Sequence, residues 1–163
     1  MALLQNFLNP NEFRFTLARL PHVEFFVQSI TLPDISSNPV AQATPFKTIY
    51  RPADKIEFGD LSMSVLVDEN MQSYIETWSW LIALTKPENF QQYQSLLDGD
   101  GIYSDATLSI LNSKKNTNIQ IRFKDLFPIS VGSISLATNQ SDVNPSVVEM
   151  TFKYSSYDFD FIT

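Results

Sequence analysis

The sequence predicts an α+β domain: mostly antiparallel β-sheets packed as a sandwich or partial barrel, with one flanking α-helix over about residues 71–85. Three observations carry that prediction. Several stretches alternate apolar and polar residues with a period of two, the pattern of a half-buried strand. One stretch, Met71 to Thr85, places Met71, Tyr74, Ile75, Trp78, Leu81 and Ile82 three and four residues apart, which makes a single apolar stripe on a helix. Strands stand on both sides of this helix and are separated by turn residues, an order that suits antiparallel pairing with a helix packed on one face or at one end.

Taken in order, Ala2 to Leu8 reads as a short helical or extended arm closed by Pro10. Phe13 to Leu20 alternates Phe13, Phe15 and Leu17 against Arg14, Thr16 and Ala18. After a turn at Pro21–His22, Val23 to Leu32 reads as a second strand, and the two are expected to form a hairpin that Pro33–Asp34 ends. Thr44 to Tyr50 and Lys55 to Val67 are strand-like, the latter interrupted at Gly59–Asp60. Residues 40–67 therefore read as a long hairpin with an exposed tip near Pro52. Asp68, Glu69 and Asn70 supply a cap and negative charge for the helix, and Lys86–Pro87 stop it. A shorter helix is expected over Phe90 to Leu97, ending at Asp98–Gly99–Asp100–Gly101.

Beyond it, Ala106 to Leu111 and Ile119 to Leu126 are expected to form a hairpin across the polar turn Asn112 to Asn118. In the second of these strands Ile119, Ile121 and Phe123 face one way and Gln120, Arg122 and Lys124 the other. Pro128 lacks an N–H and is expected to end the ladder, while Gly132 permits a bulge or a positive φ. Ile129 to Thr138 and Val147 to Tyr154 read as further strands, with a loop at Asn139 to Pro145, and the tail keeps some alternation. The 163 residues fit one domain, 1–163, without internal repeats.

Composition narrows function by exclusion. The net charge is −7 and no basic run exceeds Lys114–Lys115, which argues against tight or sequence-specific nucleic-acid binding but suits a conduit that must not stick to DNA. Without cysteine there is no thiolate nucleophile or Cys-ligated zinc, and the single His22 cannot build a multi-histidine metal site. No stretch approaches a membrane span. Charged residues are only 18% of the chain and 13 phenylalanines are present, which fits either an aromatic core or a surface covered by neighbours.

Individual motifs stay weak beside their plainer readings. Asp98, Asp100 and Asp105 on a glycine-rich loop suggest calcium, yet the spacing misses the EF-hand pattern, and a helix-ending turn is the better reading. His22 with Glu24 has no nucleophile motif nearby and reads as a surface histidine. Trp78 belongs to the apolar stripe and is expected in the core. Trp80 lies off its centre, where it is either a partly exposed side chain or an anchor for a neighbour. No catalytic, cofactor-binding or metal-binding residues are assigned.

The order of these segments resembles the tail-tube family of contractile-tailed bacteriophages and the related inner-tube proteins of contractile injection systems. The resemblance rests on Thr31–Leu32–Pro33, on Lys55 to Asn70 leading into the helix, and on Lys124 to Gly132, where a basic-apolar strand runs into Leu126–Phe127–Pro128 and Val131–Gly132. It implies a structural virion protein without enzymatic activity or cofactor. Hexameric rings, in which strands of adjacent subunits close into a ring, would stack into a hollow tube that conducts DNA during ejection. Its partners would be copies of itself, the tail sheath, baseplate tube proteins, and the tape measure protein and DNA in the lumen without sequence-specific binding. No membrane is involved; assembly would take place in the host cytoplasm, and the product would be the virion tail.

On this reading Leu3, Leu4, Phe7, Phe46, Tyr50, Arg51, Lys55 and Trp80 are expected at contacts between subunits. The arm and the long hairpin would join rings, the lumen would be neutral to acidic, and the helix face opposite Met71–Tyr74–Trp78, with Glu76, would meet the sheath. A baseplate-proximal tube initiator or a tail terminator of the same fold, or the inner tube of a contractile injection system, is the near alternative. A ligand-binding β-sandwich is the alternative from another class.

Overall fold

The structure, a computed structural model, describes residues 8, 10–87, 89–97, 101–138 and 145–162. It is built on two antiparallel sheets that share one long strand, β9 (Thr117–Val131). The first half of β9 lies between β8 (Ser104–Leu111) and β11 (Ser156–Phe161), and β1 (Phe13–Leu17) pairs with the far side of β8. The second half, Phe127–Val131, pairs with β10 (Val147–Lys153), followed by β7 (Leu61–Leu66) and β2 (Val27–Thr31). The strand passes from one sheet to the other around Asp125, which has a left-handed backbone, φ 54°.

Alternation does the sorting. Phe15 and Leu17, Ala106 and Leu108, Ile121 and Phe123 turn inward from the first sheet; Leu61, Met63 and Val65, Val148, Met150 and Phe152 turn inward from the second. Burying a side chain of this size contributes about 1.5–3 kcal/mol, so this interlayer is what holds the sheets together. The layer is open on one side. Among the described residues β1 and β2 are not paired with each other, and a cavity of about 440 Å³ between them is lined by Phe13, Ile30, Leu108, Ile110 and Ile121.

Three helical segments complete the fold: α1 (Pro21–Phe26), α2 (Gln72–Thr85) and α3 (Phe90–Leu97). The long helix and the shorter one fall where the sequence places them. α1 does not, and the expected hairpin of Phe13–Leu20 with Val23–Leu32 does not form: its two strands lie in different sheets. Pro21 opens α1 at a position where its missing N–H costs nothing, and Val23 is buried one turn into the helix. A bent connection can then cross between layers.

The cap of α2 also departs from expectation. Met71 holds the N-cap position in a left-handed conformation with no side-chain cap, and its N–H donates to the Asp68 carbonyl at 2.9 Å. Pro128 does not end its ladder. It pairs with Phe152, Ser130 pairs with Thr151, and Ile129 between them is a bulge residue, which is where a strand tolerates proline. The strand expected over Ile129–Thr138 ends at Val131.

Candidate assembly surfaces

The long hairpin is present, but its tip lies elsewhere. β3 (Ile35–Ser36) pairs with β6 (Glu57–Phe58), and β4 (Val40–Ala43) pairs with β5 (Thr48–Arg51), so one arm runs out and back from Ile35 to Phe58. Its tip is Thr44–Lys47 rather than Pro52. There the Thr44 N–H donates to the Lys47 carbonyl at 3.1 Å and the Lys47 N–H donates to the Thr44 hydroxyl at 3.2 Å. That side-chain turn fixes the reversal at Thr44–Lys47, ahead of the proline.

Every residue of β4 and β5 is exposed. Phe46 at the tip is 98% exposed, and Ile35, Val40, Ile49, Tyr50 and Ile56 are exposed along the arm. Arg51 and Lys55 are exposed beside them. An isolated two-stranded ribbon is marginal in water, and a ribbon that carries this much uncovered apolar surface is built to be covered. Val40 was not legible as a contact candidate, because the stretch before Thr44 has no clear period. Leu3, Leu4 and Phe7 lie outside the described residues.

The two tryptophans exchange places relative to expectation. Trp80 is 3% exposed, tilted against Phe152 with ring centroids 6.5 Å apart and with the Arg19 guanidinium 5.1 Å from its ring centroid. Trp78 is 46% exposed and Ile75 is exposed beside it. The buried face of α2 is Ser73, Thr77, Trp80 and Ala83. Trp80 packs on Phe152, and small residues hold the other three positions, with the Thr77 hydroxyl 3.5 Å from Met150 Sδ. Their hydroxyls are satisfied locally, Thr77 donating to the Ser73 carbonyl at 3.0 Å. The helix face opposite the Met71–Tyr74–Trp78 stripe, expected to meet the sheath, is thus the packed one. Glu76 is held by His22 Nδ1 at 2.5 Å.

The ionic groups are spread over the surface and do not converge. Arg122 pairs with Asp160 at 2.8 Å, Lys124 with Asp158 at 2.5 Å, and Lys153 with Asp60. The hydrogen bond that Lys124 donates to Asp158 raises the Lys124 pKa. Among the described residues no group of histidines or acids could hold a metal ion. Asp98 and Asp100 lie outside the described residues, and the Asp105 carboxylate accepts a hydrogen bond from the Asp125 N–H.

An exposed apolar arm, open sheet edges and scattered surface ion pairs define a protein of the assembly class. The chain matches the family model for phage tail tube proteins over residues 4–160 and belongs to that family, whose members are structural components of the tail tube. Among solved structures it is similar to a chain of the sheath–tube complex of PVC, an extracellular contractile injection system, in its extended state (TM-score 0.65, 15% identity, 98% of this chain and 95% of the other). It is similar to a chain of the tube-terminating cap of the anti-feeding prophage (0.65, 12%, 99% and 96%). It is also similar to a type six secretion system protein (0.53, 12%, 92% and 83%). A comparison with curated protein sequences finds no match.

Proposed function

We propose that copies of this chain join edge to edge into hexameric rings, and that the rings stack into the hollow inner tube of a contractile tail, through which DNA passes during ejection. The observation that carries this reading is the arm Ile35–Phe58, exposed on both faces and ending in an uncovered Phe46. Such an arm gains most by lying against another copy. Leu3, Leu4, Phe7, Phe46, Tyr50, Arg51 and Lys55 belong to the contacts between copies, while Trp78 takes the place of the buried Trp80. The exposed Ile75–Trp78 face of α2 suits an outer layer such as a sheath. Baseplate tube proteins would continue the stack at its end, with the tape measure protein and DNA inside. Membership of the family supports residence in the virion tail, and assembly would take place in the host cytoplasm.

Negative-stain electron microscopy of the concentrated chain tests this, beside a variant in which Val40–Arg51 is replaced by a short glycine-containing turn. The wild-type chain should form rings and tubes. The variant should keep the circular dichroism of the folded subunit and stop at rings or monomers. Tube growth undiminished in the variant would remove the arm from the stacking contact.

A further inference from the structure

We infer that the cavity between β1 and β2 is a socket for the arm of a second copy of this chain, which takes Phe46 into its apolar interior and sets Lys47 against the Glu12 carboxylate. The inference rests on the tube reading above, in which the arm joins copies, and names the surface that receives it.

The socket is a gap in the interlayer. β1 and β2 belong to different sheets and leave between them the cavity of about 440 Å³, walled by Phe13, Ile30, Leu108 and Ile121 among others. Leu32 stands at its edge, 43% exposed. The volume lies within the about 300–1,000 Å³ of pockets that bury a small ligand, so there is room for a phenylalanine ring and the residue beside it. One wall is polar. Glu12, whose carbonyl accepts the Leu111 N–H at 3.0 Å, lines the cavity just ahead of β1, and its Oε2 is buried without a hydrogen-bond partner. A buried carboxylate oxygen left unpaired is costly, and a cation brought to it offsets that cost.

The tip of the arm has the matching chemistry. Phe46 is 98% exposed, so its own copy does not cover it. Lys47 follows directly, and among the described residues neither Lys47 nor Glu12 forms an ion pair within its own copy. A lysine stem lies along apolar surface while its head reaches a polar group, which suits a carboxylate set in an apolar wall. The backbone of the tip is prepared as well. The Thr44 N–H is held by the Lys47 carbonyl and the Lys47 N–H by the Thr44 hydroxyl, so these groups stay paired when the tip leaves water.

Tip and socket are different surfaces of one chain. Contact between them is head to tail: each copy gives a tip and receives another. Repeated, such a contact builds an extended series rather than a closed pair, as stacking requires.

Charge reversal tests the pairing. Phe46→Ala and Lys47→Glu should each raise the subunit concentration needed for tube growth at least about tenfold. Adding Glu12→Lys to Lys47→Glu should restore most of the growth. Circular dichroism of unassembled subunits checks that each variant folds. Undiminished growth of both tip variants would leave the cavity to another occupant, the chain's own first residues or a small ligand, and overturn the inference. A folded double variant that does not recover would send the tip to another surface and overturn it as well.

The absence of cysteine supplies a second test that leaves Glu12, Phe46 and Lys47 in place. A chain carrying both Leu32→Cys and Pro45→Cys is grown into tubes and treated with a short bismaleimide. Each copy then presents both partners, so the product should be a ladder of trimers and longer species, whereas either single variant stops at dimers. Tubes that form but give no ladder would overturn the socket and leave the tube reading standing. Failure of the unsubstituted chain to form tubes under any condition would remove that reading, and the socket with it.

Discussion

The Asp105 carboxylate accepts a hydrogen bond from the Asp125 N–H at 3.2 Å, at the place where β9 leaves one sheet for the other. The bond ties β8 to the turn and occupies a donor that the register shift between Ser104 and Ala106 leaves out of the ladder. Asp125 itself has φ 54°, a conformation that costs most residues about 1–2 kcal/mol and glycine almost nothing. Asp105→Ala should therefore destabilise the subunit by about 1 kcal/mol. Asp125→Gly should be neutral or mildly stabilising, and Asp125→Val should cost more than Asp105→Ala. Urea denaturation of unassembled subunits measures all three; a destabilising Asp125→Gly would mean that the aspartate side chain, not its backbone, is what the corner needs.

The tryptophans separate folding from assembly. Trp80 is packed against Phe152 beneath Arg19, so Trp80→Ala should cost about 3–5 kcal/mol and lower the melting temperature sharply. Trp78, half exposed on α2, should cost under about 1 kcal/mol on truncation. If its face meets an outer layer, Trp78→Ala should leave tubes intact and weaken co-sedimentation with sheath. The reverse ranking of melting temperatures would mean that the stripe expected from spacing is the packed one.

This exchange shows where the sequence is informative. Period-two alternation located β7, β8, the first half of β9 and β10, because those strands each have one face on the core, and Gly59–Asp60 marks the break between β6 and β7. The helix was visible as well, but not its orientation: spacing finds the large apolar residues, whereas the face that is buried carries the small Ser73, Thr77 and Ala83 beside Trp80. Val23 to Leu32 holds the apolar run Phe25–Val27 between Glu24 and Gln28 and keeps no clean period, which cannot distinguish a strand from a short helix followed by one. Pairing was the least legible feature. That β1 joins β8 and β2 joins β7 depends on contacts between residues distant in sequence, which local pattern does not encode. On the arm, Phe46 and Tyr50 could be read as exposed because a bulky residue near a polar turn has nothing local to pack on. That Thr31, Ser62, Thr151 and Ser130 stand side by side on four strands emerges only once the register is known.

Gly132 is required by close approach rather than by a left-handed backbone. Its N–H donates to the Glu149 carbonyl at 2.7 Å, and a Cβ there would lie 2.9 Å from that oxygen and 3.2 Å from the Glu149 nitrogen. Both neighbours are backbone and cannot swing aside. Gly59 differs: a Cβ there would meet the Asp34 carboxylate, the end of a side chain that can rotate. Gly132→Ala should accordingly destabilise the subunit by about 1–3 kcal/mol and loosen the β9–β10 end of the sheet, with Gly59→Ala clearly milder. Hydrogen exchange at the Gly132 amide locates the damage. Equal losses for the two variants would mean that Asp34 is as immobile as a backbone carbonyl.

Tyr154 gives the subunit a sensitivity to high pH whose sign can be worked out. Its ring packs against Phe123, Phe58 and Tyr157 with centroids 5.1, 5.9 and 5.9 Å away, and its hydroxyl is buried without a hydrogen-bond partner. Burial, with smaller contributions from Tyr157, Asp34 and Asp60, pushes its pKa up to about 12. The folded state therefore holds the phenolic proton more tightly than the unfolded chain does. Its contribution is fully present below about pH 10 and is lost as pH rises toward about 12, to the extent of about 2 kcal/mol. The exposed Lys124, with its pKa also raised, adds a loss of the same sign. Tyr154→Phe removes the ionisable hydroxyl and an unpaired polar group together. At about pH 8 it should be neutral or stabilise by up to about 1 kcal/mol. Above about pH 10 the variant should lose less stability than the wild type. Urea midpoints of unassembled subunits across this range measure the difference; parallel curves for the two proteins would show that Tyr154 keeps its proton equally well in both states.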